Sequence, residues 1–117
     1  MQPLIKNDQL DLIRQFNLLV EMHFRDKHRV SDYAELLQKS PKTLSNVFLK
    51  YIAKTPLKVI SERICLEAQR LLIFSTKSVS EIGFELGFSD ISHFSKFFKK
   101  HYQVTPAAYR TSYQGKN

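Results

Sequence analysis

The chain has 117 residues, with 18 Lys and Arg against 11 Asp and Glu, a formal charge of +7, 43% hydrophobic residues, one Cys and no Trp. That length suits a single domain or two small helical lobes, and three Gly with four Pro leave little material for the tight turns of a β sandwich. The lone Cys65 excludes an internal disulfide framework, no apolar run reaches the about 18 residues of a membrane span, and the polar stretch from Lys6 to Gln9 interrupts any signal peptide, so an all-α protein of a reducing cytoplasm is expected.

In chain order, residues 1–7 read as the end of a linker. Asp8 is predicted to cap a helix carrying Leu10, Ile13, Phe16, Val20 and Phe24 at helical spacing. Ser31 is predicted to cap a short helix with Tyr33, Ala34, Leu36 and Leu37, and Ser40 with Pro41 to open the next. A long helix from Pro56 to about Phe74 carries Leu57, Ile60, Ile64, Ala68, Leu71 and Leu72; eighteen residues make a rod of about 27 Å, close to the about 34 Å turn of B-DNA. Ser80 is predicted to cap a helix with Ile82, Gly83 and Leu86, and Gly87 to supply its left-handed cap. Ser89 or Asp90 then opens a helix whose apolar stripe is Phe94, Phe97 and Phe98, extended by Ile91 and Tyr102, opposite Ser92, Ser95, Lys96 and Lys99. A short helix follows Pro106.

These elements form a repeat. Val30, Ser31, Asp32, Leu37 and Ser40 recur 49 positions later as Val79, Ser80, Glu81, Leu86 and Ser89. Leu44, Ser45, Phe48, Lys50, Thr55 and Pro56 recur 50 positions later as Phe94, Ser95, Phe98, Lys100, Thr105 and Pro106. The extra residue falls in a turn, where insertions are tolerated, so each copy reads as helix, turn, helix. Ala34 and Gly83 are equivalent and small, as a close helix crossing requires. Charge follows the same division: residues 38–61 hold five basic side chains and residues 91–117 another five, with no carboxylate in either block. Two such blocks suit two contacts with one polyanion, through counterion release at phosphates.

The run LEAQRLLIFSTKSVSEIGFELGFSDISHFSKFFKKHYQVTPAAYR, residues 66–110, and more loosely SPKTLSNVF, residues 40–48, resemble the DNA-binding domain of the AraC/XylS family of bacterial transcription regulators. The resemblance implies two helix-turn-helix subdomains of homeodomain-like three-helix type, about seven helices in all, over residues 8–55 and 75–111. A linker helix joins them at 56–74, and 112–117 form a tail. It implies base contacts from Lys42, Thr43, Ser45 and Asn46 in the first subdomain and from Ile91, Ser92, Ser95 and Lys96 in the second, read in successive major-groove segments on one DNA face. It implies phosphate contacts from Ser31, Ser40, Lys50, Ser80, Ser89, Lys99 and Lys100. Side-chain chemistry permits these roles: Lys donates to guanine, Asn pairs with adenine, and Ile packs on a thymine methyl. Further implied partners are RNA polymerase and an effector or dimerisation domain outside this chain, so a C-terminal fragment is expected rather than a complete small regulator.

Two departures stand out. Gln38 and Lys39 occupy a turn where many members place Gly, so that turn is expected to be strained or reshaped; Tyr102 and Gln103 stand where Gly commonly ends the last helix. No cofactor, metal site or catalytic residue is expected. His23, His28, His93 and His101 lack metal spacing, and Asp90, Ser92 and His93 are sequence neighbours without the geometry of a triad. The rival reading is a basic amphipathic module, FSKFFKKHY at 94–102, for an anionic membrane or an acidic partner's groove. It requires the face of Phe94, Phe97 and Phe98 to be exposed.

Overall fold

The computed structural model describes residues 7–114, which form seven α-helices and no strand. The chain divides into two compact units, with the boundary between Ile60 and Ser61.

The first unit contains α1 (Asp8–His23), α2 (Val30–Leu37), α3 (Pro41–Tyr51) and the opening of α4 (Pro56–Phe74). Its three complete helices all pack on one another. The predicted apolar spacing of α1 places Phe16 at the centre, its ring 5.3 Å from Tyr33 and 4.8 Å edge-on from Phe48. Ala34 and Leu44 are buried beside these aromatics. Tyr33 is fully buried, and its hydroxyl donates to the Lys27 carbonyl at 2.8 Å, so no polar atom is stranded there. Burial and the nearby Asp26 and Asp32 carboxylates raise its phenol well above the ordinary range.

The second unit holds the rest of α4 with α5 (Val79–Glu85), α6 (Ile91–Tyr102) and α7 (Pro106–Gln114). Ile64, Cys65, Ala68, Leu71 and Leu72 of α4 join Ile82, Leu86, Phe88, Phe94 and Phe98 in its core. From Ser61 onward the predicted linker helix is therefore a core helix of this unit. Leu57 breaks the predicted stripe and is 52% exposed. Cys65 is buried, and desolvation pushes its thiol up to about 12, which leaves almost no thiolate at neutral pH. Arg110 Nε donates to the Leu72 carbonyl at 2.9 Å, closing the C-terminus of α4 where cationic groups are favoured. Its guanidinium is thus engaged within the unit.

Three predicted caps move. α1 is capped by Asn7, whose Oδ1 accepts from Gln9 N at 3.0 Å and Leu10 N at 3.1 Å, with Asp8 as the first helical residue. α2 and α5 begin one residue before Ser31 and Ser80, with Arg29 and Ser78 at the cap positions. The acidic residue of each copy explains the shift. Asp32 reaches back to Arg29 N at 3.3 Å, as Glu81 does to Ser78 N at 2.9 Å, so the third helical residue satisfies the backbone ahead of each helix. That contact also holds the Glu81 carboxyl below its usual range. Ser40 and Asp90 cap α3 and α6. At the ends, Asn7 caps α1 and residues 112–114 belong to α7, while residues 1–6 and 115–117 of the expected linker and tail lie outside the described residues.

Both copies make the same turn after their first helix. Phe88 N donates to Gly83 O and Gly87 N to Phe84 O, each at 3.0 Å; Lys39 N donates to Ala34 O at 3.0 Å and Gln38 N to Glu35 O at 3.1 Å. This is the Schellman arrangement, which needs a left-handed residue. Gly87 supplies it at φ 95°, and Gln38 supplies it at φ 55° with a side chain that disfavours it. The first turn is therefore strained, not reshaped. Gln38→Gly is expected to stabilise the first unit by about 1 kcal/mol, the left-handed penalty less the added entropy of the unfolded chain; a chemical denaturation midpoint checks it. Ala53 at φ 60° and Gln103 at φ 66° form a second equivalent pair, one after each of α3 and α6.

Candidate nucleic-acid interface

α3 and α6 are built alike. Pro41 follows the Ser40 cap, where its missing N–H and fixed φ suit the first helical position. The Asp90 carboxylate opens α6 by accepting from His93 N at 2.7 Å. Leu44 and Phe48 turn one face of α3 into the first core, as Phe94 and Phe98 do for α6 in the second. The opposite faces are solvent-exposed. On α3 that face shows Lys42, Thr43 and Asn46, with Ser45 half-buried at its flank. On α6 it shows Ile91, Ser92 and Lys96, with Ser95 half-buried in the equivalent place. Ile91 is 47% exposed and so leaves the predicted apolar stripe, which Phe94, Phe98 and the half-buried Phe97 and Tyr102 carry. Neither helix contains a carboxylate.

The phosphate candidates fall around these faces. Ser31 and Ser80 are second residues of α2 and α5, and Ser89 precedes the Asp90 cap; all three are exposed. The Ser40 hydroxyl accepts from Thr43 N at 3.1 Å and donates to Thr43 Oγ1 at 2.9 Å. It is committed to opening α3, which ranks it behind the other serines as a phosphate donor. Lys99 and Lys100 are exposed in the last turn of α6, where the helix dipole also favours cations. Lys50 lies in the last turn of α3 and donates to Gln9 Oε1 of α1 at 3.3 Å. Beside it the Tyr51 hydroxyl is lowered from its ordinary pKa, first by the hydrogen bond from Asn7 and then by the Lys50 charge.

Two exposed residues on these faces stand outside the predicted base-contacting set: His93, which the sequence suggested only as a polar or half-buried helix residue near the DNA backbone, and Leu49, which it did not single out. His93 is exposed and stands fifty positions after Thr43, its ring 5.3 Å edge-on from Phe88. Leu49 is 57% exposed on α3, where the second copy has Lys99. The offset of the repeat was the signal for both.

The rival amphipathic reading loses its anchor in this geometry. Phe94 and Phe98 are 1% and 0% exposed, and Phe88 packs 5.2 Å from Phe97. A face already filled by its own core has no apolar surface to lend to lipid or to a groove. No helix among the described residues is long and apolar enough to cross a membrane.

Comparison with known proteins points the same way. A family model described as a helix-turn-helix domain matches residues 33–112. Regulatory protein PocR of Salmonella typhimurium is 36% identical over 91 residues, covering 78% of this chain and 30% of its own length. The HTH-type transcriptional regulator ExsA of Pseudomonas aeruginosa is 30% identical over 105 residues, 90% of this chain and 37% of its own. The chain thus spans about a third of these curated relatives. The DNA-binding domain of AdpA, a global transcriptional factor solved in complex with a target DNA, superposes with a TM-score of 0.76 at 25% identity, covering 96% of this chain and 97% of that one.

Proposed function

The chain belongs to the AraC/XylS family of bacterial transcription regulators, and on that premise we propose that it reads duplex DNA through α3 and α6, one in each of two successive major-groove segments. The observation that carries the reading is the repeated helix face: two capped, carboxylate-free helices, each buried on its apolar side and exposed on its polar side at equivalent positions. Lys42, Thr43, Ser45 and Asn46 address one set of base edges, and Ile91, Ser92, Ser95 and Lys96 the other. His93 joins the second set by its equivalence to Thr43. Ser31, Lys50, Ser80, Ser89, Lys99 and Lys100 hold phosphates, with Ser40 mainly setting the start of α3.

The role assigned is binding without a catalytic step, exercised at promoters in the bacterial cytoplasm. RNA polymerase and an effector or dimerisation domain in the remainder of a longer protein complete this reading. Selection of bound duplexes from a random pool at near-physiological salt tests its core. The expected result is two short enriched blocks about 10 base pairs apart, one helical turn. A single block would remove one of the two reading helices, and no enrichment by folded chain would overturn sequence-specific recognition. On the selected duplex, log affinity is expected to fall against log salt with a slope of about −0.9 for each phosphate neutralised.

A further inference from the structure

Lys50 leaves the end of α3 on a flexible stem, and an ammonium of this kind ordinarily loses rotamer freedom when it meets a phosphate. Here the folded chain already restrains it. Gln9, in the first turn of α1, accepts at Oε1 from Lys50 Nζ at 3.3 Å and from the Tyr51 hydroxyl at 3.0 Å. Lys50 Nζ also lies 5.2 Å from the centre of the Tyr51 ring. Asn7 Nδ2 donates to the Tyr51 hydroxyl at 3.4 Å, while Asn7 Oδ1 holds the first backbone amides of α1. The group is tied to the backbone of α1 at one end and to the end of α3 at the other.

We infer that Gln9 is a positioning residue for DNA, setting the Lys50 ammonium for its phosphate contact, with Tyr51 as a second support. The inference rests on the DNA reading above. Its chemistry suits the task for two reasons. A neutral amide oxygen orients the ammonium without cancelling its charge, as a carboxylate at position 9 would. One of the three ammonium N–H groups is used, which leaves two for phosphate oxygens. The second copy has His101 in place of Tyr51, so the arrangement is particular to the first unit.

The test uses the selected duplex with the parent chain, Gln9→Ala, Lys50→Ala and the double variant, each titrated across a range of salt and melted without DNA. Lys50→Ala is expected to make the salt slope shallower by about 0.9. Gln9→Ala is expected to weaken binding about threefold, the scale of an exposed polar pair, and to move the slope toward that of Lys50→Ala. Its melting midpoint stays within about 3 °C of the parent, the scale of an ordinary surface change. The double variant should bind no more weakly than Lys50→Ala alone. Tyr51→Phe, which keeps the ring and removes one donor to Gln9, should fall between the parent and Gln9→Ala. Losses from Gln9→Ala and Lys50→Ala that multiply, or a Gln9→Ala variant with parental affinity and slope, would overturn the positioning role alone. If Lys50→Ala itself changes neither affinity nor slope, the phosphate contact falls, and the positioning role with it.

Discussion

Lys96→Ala is expected to weaken binding to the selected duplex by about 2 kcal/mol, some thirtyfold, with the loss concentrated at one base pair. Lys96 lies one turn beyond Ser92 on the exposed face of α6, on a helix without a carboxylate to neutralise it. A side chain that donates to guanine O6 and N7 discriminates only against duplexes lacking that guanine. The measurement is therefore a titration of the parent and variant chains against the selected duplex and its single-base variants. A loss equal for every duplex would make Lys96 a phosphate contact. Asn46 is its repeat equivalent on α3 and is also exposed. Asn46→Ala is expected to lose discrimination at a second position one helical turn away, and the two losses should add, since the residues act in separate units.

Gly83→Val is expected to destabilise the second unit by about 3 kcal/mol, at the upper end of what overpacking a core costs. A Cβ at Gly83 would sit 2.9 Å from Phe94 Cδ2 and 3.0 Å from its Cβ and Cγ. Phe94 cannot easily yield. It is 1% exposed, with the Phe88 ring 5.3 Å and the Phe98 ring 6.2 Å away. Gly83→Ala should cost much less, because the same clash is offset by the about 1 kcal/mol that Ala gains over Gly within a helix. The first unit suggests a cross-check, since Ala34 and Leu44 stand where the second has Gly83 and Phe94. Phe94→Leu should accordingly damage the Gly83→Ala chain less than it damages the parent. Chemical denaturation of the four chains reads this coupling, and strict additivity would show that the two residues do not compete for the same space.

Much of this architecture is legible in local patterns. The apolar spacing marked α1, α4 and α6, Ser40 with Pro41 and the repeat marked α3, and Gly87 marked the turn after α5. The other caps were harder, because neighbouring polar residues compete for one position and the winner depends on the third residue of the helix. Ser78 with Glu81 was a readable capping box. Asn7 beside Asp8 offered no comparable distinction. Of the left-handed residues, Gln38 and Gln103 were marked only by the family resemblance, which has Gly there, and Ala53 was not marked at all, since each has a side chain that ordinarily avoids that conformation. Their equivalence in the repeat shows that the fold imposes the turn on residues that do not favour it.

Sequence by itself determined the helices, the repeat with its single inserted residue, the two basic blocks and the polar faces of α3 and α6. Each arises from terms that act within about four residues or from a comparison along the chain. The sequence also pointed to Phe94 and Phe98 as core, which their burial bears out; only the tertiary structure decided that Leu57 and Ile91 leave it, that Arg110 closes α4, and that Gln9 meets Lys50. Arg110 and Leu72 are 38 residues apart, and Lys50 and Gln9 are 41. Contacts across such distances form only once helices pack, because the entropy of closing the loop between them is met by burying the whole interface and not by any pair within it.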